Sequence, residues 1–397
     1  AIDVDFATDT ADTLKVGGNV EGDTTEIEIN AISPTSAAAN DILVVDVTGT
    51  TDAGDFVLAA GDQIAIGVLT YGLDLQGTQW FLTSDGVTAT GLAYQAAPSA
   101  LLAGFSSSST LRQRIGSRSW DVTDDNPTWL RIHRTKSSAD SKGGASPYSA
   151  DTTNWGLQAG ADFAKLATDH GRWVFGAFAE HNTVNSTVTN DADVGTISGN
   201  GFGLGVTATY YGDNGFYADA VGRIGKVNAD ISSSTNGALL TDQDVKTAAF
   251  SLEAGYQLAL ANGGIFTPQA QLSWGRVNMG TGTDHLSRGV DFGADTHLEG
   301  RFGMTFEFSN LLSTNADNYD LYVSGNILRD FSDPTSVSVD GVQLLGGNDD
   351  TQVEVGLGGS YAWSENASIF GEGTYRKAVG GGSAEGFNLT LGAAINW

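Results

Sequence analysis

The sequence predicts an all-β membrane protein. Its expected architecture is a transmembrane barrel of about twelve antiparallel strands, with an N-terminal α-helix in the lumen and a short β-solenoid ahead of both. Three observations carry this. The stretch Glu385 to Trp397 (EGFNLTLGAAINW) places apolar or small residues at Phe387, Leu389, Leu391, Ala393, Ile395 and Trp397, with polar or small residues between them. That is period two, a strand with one apolar face, and it closes on an aromatic suited to a membrane interface. Similar strands repeat from Pro127 onward. The connections between them alternate strictly between short and long.

Composition sets the outer limits. The chain has 397 residues, 53 glycines, 6 prolines and no cysteine, so a disulfide frame or thiolate metal site is excluded. Its formal charge is −28. Such a chain repels nucleic acid, and also anionic membrane surfaces unless its charge is locally segregated. Mean hydropathy is −0.11, a value that a barrel with a polar lumen and polar loops also reaches. No apolar run of about 18 residues occurs, which leaves no candidate for a transmembrane helix. No signal peptide opens the chain, so export would make Ala1 a processed end.

Residues 1–91 read as short strands broken by Gly, Asp, Asn and Thr. The candidates are Thr13–Val16, Thr25–Ile29, Ile42–Val47, Phe56–Leu58 and Gln63–Leu69. Regular strands separated by turn signals suit a parallel solenoid. Tyr71–Leu75 and Gln79–Thr83 then form an aromatic hairpin able to cap its exposed edge.

Residues 92–126 form a linker. Ala93, Ala96, Ala97, Ala100, Leu101, Leu102 and Ala103 favour a helix, with Pro98 expected in its first turn. Ser106–Ser109 is a weak point, and Leu111–Ile115 resumes the helical character before Gly116. The reading is one helix with a loose middle, or two short ones. Arg112, Arg114 and Arg118 cluster here in an otherwise acidic chain.

Residues 127–397 carry the long strands. Phe202, Leu204, Val206, Ala208 and Tyr210 alternate with Gly203, Gly205, Thr207 and Thr209; Phe250, Leu252, Ala254 and Tyr256 alternate with Ser251, Glu253 and Gly255. Short turns are expected at Asp169–Gly171, Gly212–Gly215, Asn262–Gly264, Ser313–Asp317 and Ser364–Asn366. Long polar loops are expected at Ser137–Asp151, Asn185–Thr196, Ser232–Asp244, Gly280–Asp295 and Ser332–Asp350. Short periplasmic turns with long outer loops describe an outer-membrane barrel, and closure removes every sheet edge.

Topology then constrains the linker. An even strand number leaves both barrel ends on the short-turn side. A solenoid on the opposite side must connect through the lumen, because arginines in lipid would each cost about 2.5–3.5 kcal/mol. The inward positions include Asp162, Glu180, Asp219, Glu253, Glu299, Glu307, Glu354 and Glu372, carboxylates placed to receive the linker arginines.

With these segments in order, the chain resembles the C-terminal half of the type Va autotransporters. Phe56–Thr83 is similar to the autochaperone-like end of a pertactin-like β-helix passenger. Ser109–Arg118 resembles the linker helix of that family, and Pro127–Trp397 its translocator barrel. The resemblance implies a translocator that exports and anchors its own N-terminal passenger, with the helix plugging the pore. It implies an insertion signal at Phe387, Leu389, Leu391, Ile395 and Trp397, read by the barrel assembly machinery. Periplasmic chaperones, outer-membrane lipid and lipopolysaccharide are the other implied partners, for a monomer with residues 1–91 at the cell surface. Some members cut the passenger by cyclisation of a linker Asn. Leu92–Asp125 contains no Asn, the first being Asn126, so the passenger is expected to stay attached or to be cut by another route.

Other chemistry is weak. Gly199-Asn200-Gly201-Phe202-Gly203-Leu204-Gly205 lacks the following helix of a dinucleotide loop, and its alternate glycines suit close packing in the lumen. The five histidines lack metal spacing. Asn348-Asp349-Asp350 reads as a solvated loop tip. The expectation is no cofactor, no metal, no nucleic acid and no enzyme. Two alternatives stand beside the translocator: a diffusion pore with an N-terminal plug, and a soluble all-β adhesin.

Overall fold

The computed structural model describes residues 1–34, 40–105, 109–116, 127–141, 147–190, 194–261, 263–309, 319–346, 351–364 and 366–396. Arg118, Asn126, Asn348-Asp349-Asp350, Trp397 and the expected turn Ser313–Asp317 lie outside the described residues.

The N-terminal part is a short coil of strands: β1 (Ile2–Asp5), β2 (Thr10–Ala11), β3 (Leu14–Val16), β4 (Thr25–Ile27), β5 (Ile29–Ala31), β6 (Ile42–Val47), β7 (Phe56–Leu58), β8 (Ile64–Ile66), β9 (Leu69–Gln76) and β10 (Gln79–Val87). β1 pairs with β5, β3 with β6 and β4 with β7, all in parallel. A turn of the coil takes 31 residues on two of these faces (14 to 45, 25 to 56). The expected strand Thr25–Ile29 is broken at Glu28, because β4 and β5 belong to different faces. Val4, Phe6, Val44, Val45 and Leu82 fill the interior. β10 pairs antiparallel with both β6 and β9, which covers the edge of the parallel stack. Trp80 is fixed there, edge-on to Phe56 at 5.5 Å and donating from Nε1 to Thr51 Oγ1 at 3.1 Å.

Two helices follow, α1 (Ala89–Phe105) and α2 (Leu111–Ile115). Thr88 caps α1, its Oγ1 accepting from Gly91 N at 3.3 Å. The helix starts earlier than expected, so Pro98 stands in its middle and removes an internal donor at a cost of about 3 kcal/mol. Burial offsets this. Fifteen of the seventeen residues of α1 are buried, the pattern of a helix packed on all sides.

Twelve strands then close a barrel: β11 (Pro127–Ser141), β12 (Tyr148–Thr168), β13 (Gly171–Thr189), β14 (Val194–Gly212), β15 (Phe216–Ser233), β16 (Gly237–Tyr256) with its continuation β17 (Leu258–Ala259), β18 (Ile265–Thr283), β19 (Gly289–Ser309), β20 (Tyr319–Asp330), β23 (Thr351–Ser364), β24 (Ala367–Val379) and β25 (Glu385–Asn396). A hairpin, β21 (Thr335–Val339) and β22 (Val342–Gly346), lies between β20 and β23. Each barrel strand pairs antiparallel with its neighbours, and β11 pairs with β25 to complete the ring, Ile132 beside Leu391.

The expected long loops are in large part strand. β12 to β16, β18 and β19 run 18 to 21 residues, whereas about 9–11 residues cross a bilayer. The reason is a reversal of polarity along each strand. Near the short turns, β14 turns Phe202, Leu204 and Val206 outward, all exposed, and Thr207 and Thr209 inward. Further up the same strand Thr196 and Asn200 are exposed and Ile197 is buried. β18 repeats this with Leu272 and Trp274 outward below, and with Val277 and Met279 buried above. The wall therefore has two storeys, a lower one facing lipid and an upper one standing in water.

Candidate functional site: the occupied bore

α1 fills the upper storey. β12 to β16, β18, β19, β21 and β22 surround it, presenting Ile197, Val227, Ile231, Val245, Val277, Phe292, Val337 and Leu344. Leu92 and Leu101 are fully buried against them, each contributing roughly 1.5–3 kcal/mol by transfer from water. Backbones approach closely where side chains are small. A Cβ on Gly104 would meet Val184 at 2.8 Å, one on Gly199 would meet Leu101 at 2.9 Å, and one on Gly201 would meet Phe105 at 3.0 Å. Gly199 and Gly201 of β14 thus make room for the helix, whereas Gly203 and Gly205 make room for Glu180 and Phe178 of β13.

The top of α1 is tied to both neighbours. Tyr94 Oη donates to Asp284 Oδ2 at 2.8 Å, in the tip between β18 and β19. Arg288 Nε donates to the same oxygen at 2.8 Å, and Arg288 N to Asp284 Oδ1 at 2.9 Å. Arg288 Nη1 reaches the solenoid at Gly67 O, 3.3 Å away. Burial raises the Asp284 pKa, but the donors from Arg288 and Tyr94 outweigh it and hold the carboxyl below its ordinary value.

α2 occupies the lower storey, and its chemistry is polar. Thr110 is the N-cap: its Oγ1 accepts from Gln113 N, and Gln113 Oε1 accepts from Thr110 N, both at 3.1 Å. This reciprocal pair satisfies two end donors of the helix. Glu253 Oε2 takes a third, from Leu111 N, at 3.1 Å. Gly116 ends the helix at φ 74°, its N–H donating to Arg112 O at 2.8 Å. Leu111 and Ile115 pack on Trp129, Val174, Phe178, Tyr211 and Tyr217.

The two helix arginines meet different strands of the wall, β19 and β15. Arg112 Nη1 pairs with Glu307 Oε2, and its guanidinium lies over the Tyr322 ring at 5.1 Å from the centroid. Arg114 Nη2 pairs with Asp219 Oδ1 at 2.5 Å, and Thr209 Oγ1 donates to that oxygen at 2.6 Å. Asp162 also acts electrostatically on Arg114. Asp219 stands directly opposite Glu253 across β15 and β16, a like-charge pairing that is destabilising by itself. Arg114 from the helix and Arg301 from the wall, 3.5 Å from Glu253, supply the counter-charge.

The remaining expected carboxylates meet other partners. Glu180 pairs with Arg223 at 3.2 Å and accepts from Gln158 at 2.6 Å. Glu354 accepts from Asn326 Nδ2 at 2.9 Å, and Glu372 from Tyr322 Oη at 3.1 Å. Glu299 is half-buried nearer the upper storey, beside Ser273 and Asp330. On β25, Phe387, Leu389, Leu391 and Ile395 all face outward and are exposed.

Sequence reasoning missed Arg131. It donates from Nη1 to Gln113 O at 3.1 Å and from Nε to Gln158 Oε1 at 2.8 Å. A chain of contacts thus runs from α2 through Arg131, Gln158 and Glu180 to Arg223. Strand parity was the available signal, since Arg131 shares the inward face of β11 with Trp129.

A closed lipid-facing barrel whose own N-terminal segment fills its bore defines an outer-membrane translocator barrel. A family model described as the autotransporter β-domain matches residues 128–374. The chain belongs to that family, and its barrel resides in the bacterial outer membrane. It is 29% identical over 288 residues, 66% of its length, to the adhesin BmaC autotransporter of Brucella suis, and 25% identical over 375 residues, 93% of its length, to the BrkA autotransporter of Bordetella pertussis. It spans only 8% and 36% of those two relatives. Two solved structures share the fold. The transport unit of the autotransporter AIDA-I from Escherichia coli has a TM-score of 0.57 at 19% identity, covering 69% of this chain and 91% of that one. The β-domain of the Bordetella autotransporter BrkA has a TM-score of 0.56 at 22% identity, covering 69% and 100%.

Proposed function

We propose that the barrel exports and then anchors the polypeptide preceding it, with α1 and α2 coming to rest in the bore as a two-storey plug. One observation carries the reading. The solenoid adjoins the upper rim, where Arg288 meets Gly67, while β11 begins at the short-turn end beside the last residues of β25. The described residues between them, α1 and 109–116, lie inside the barrel. Arg112 and Arg114 position α2 through Glu307 and Asp219; Arg118 extends the basic run. Phe387, Leu389, Leu391, Ile395 and Trp397 act as the insertion signal for the barrel assembly machinery, after escort by periplasmic chaperones. The barrel acts as a monomer and catalyses no reaction.

Two other readings are weaker. A diffusion pore needs an open bore, whereas α1 is packed on every side. A soluble adhesin has no use for Phe202, Ile224 and Leu357, each 65% or more exposed on the barrel wall. The test is surface proteolysis of intact cells carrying tags at both ends. Protease is expected to remove the N-terminal tag and leave the barrel protected. Protection of both tags would overturn the reading.

A further inference from the structure

We propose that the outer wall of β15, β16 and β18 carries a binding site for the phosphate groups of an anionic glycolipid in the outer leaflet. The site is formed by Lys226, Lys246 and Arg276. It rests on the barrel's place in the outer membrane but is not required by it.

Lys226 stands directly opposite Lys246, and Arg276 stands opposite Ala248, the outward neighbour of Lys246. All three side chains are exposed. Like charges directly opposite in a sheet destabilise it. Among the described residues none of the three belongs to an ion pair. The chain holds 19 Lys and Arg against 47 Asp and Glu, so three unpaired cations on adjacent strands are a marked local concentration.

Their height specifies the ligand. Phe202, opposite Lys226, is 70% exposed, and Ile224, one step down, is 68% exposed. Phe250 and Trp274 continue the apolar face below Lys246 and Arg276. Above lie Asn228 and the exposed carboxylates Asp244 and Asp230. The cations thus stand where the lipid belt ends. A molecule with acyl chains and a phosphate head matches both halves of this surface, whereas an acidic polypeptide would use only the charges. The carboxylates above repel anions and confine the phosphate to the cationic row.

The test uses the full chain folded in detergent micelles, with bisphosphorylated lipid A as the probe. Retention is read by native mass spectrometry. Lys226→Gln alone is expected to weaken retention about fivefold, and the triple variant K226Q/K246Q/R276Q roughly a hundredfold. Lys15→Gln, in the solenoid, is the control for unchanged retention. Dephosphorylated lipid A should bind no better to the native chain than to the triple variant, and neither inorganic phosphate nor polyglutamate should displace the lipid. Equal retention by the triple variant, equal binding of the dephosphorylated lipid, or displacement by polyglutamate would overturn the site. Resistance of the folded barrel to SDS, read on gels, separates a failure of this site from a failure of the barrel. If the triple variant does not fold, K226Q and R276Q singly decide the matter.

Discussion

Above the lipid belt, the wall turns apolar residues inward onto α1; within the belt, it turns carboxylates inward onto α2. Both storeys belong to the same strands, and in β14 the inward–outward alternation runs through both. What changes is the medium outside. Water around the upper wall favours Thr196 and Asn200 outward and Ile197 inward, so a helix rich in Ala and Leu completes a dry core. Lipid around the lower wall claims Phe202, Leu204 and Val206, which leaves polar groups for the bore, and only a helix bearing donors can satisfy them. The chemistry of each plug follows from what lies beyond the wall.

The contrast can be broken most severely by deletion. Removing residues 89–116 should convert a nearly closed barrel into a conducting one, the largest effect expected. Planar-bilayer recordings check this. Substituting α2 alone so that its arginines are lost should raise conductance far less, because the apolar seal above remains.

Single substitutions sharpen the comparison. Arg114→Met leaves Asp219 buried beside Glu253 without its counter-charge, and should cost roughly 3–5 kcal/mol. Adding Asp219→Leu should recover much of that loss, which denaturant unfolding of both variants would reveal. In the upper storey Leu101→Ala should cost roughly 2–5 kcal/mol, with no comparable rescue by a second truncation. Amide exchange within residues 89–105 reports it.

Acid should loosen the two storeys unequally. The Asp284 carboxyl has its pKa lowered on folding, so its stabilisation is present above the unfolded value of about 3.9 and is lost as pH falls through the folded value. Exchange at the top of α1 should therefore rise on acidification below about pH 4, and Asp284→Asn should abolish that dependence. The smallest effect is at the cap: Thr110→Ala should cost about 1 kcal/mol and fray α2 alone.

The lower storey was readable from residue order because its alternation is strong. Phe202 to Tyr210 contrasts large apolar groups with Gly and Thr. The upper storey was not. There the outward residues are Thr, Ser and Asn, and the buried ones, such as Val188 and Ile197, are isolated among them. A polar majority reads as a loop until pairing shows the register. Arg112 and Arg114 stood out as cations in an acidic chain, yet which carboxylate each meets depends on the rotation of α2, which Thr110, Gly116 and Glu253 set together. Pro98 misled the placement of α1, since local preference yields to tertiary burial.

The seam between β11 and β25 has a further consequence. A polypeptide lacking β25 would leave β24 and β11 as bare edges, unable to meet in oil. Watertightness thereby depends on this one seam, and geometry itself rejects any copy in which it has not formed.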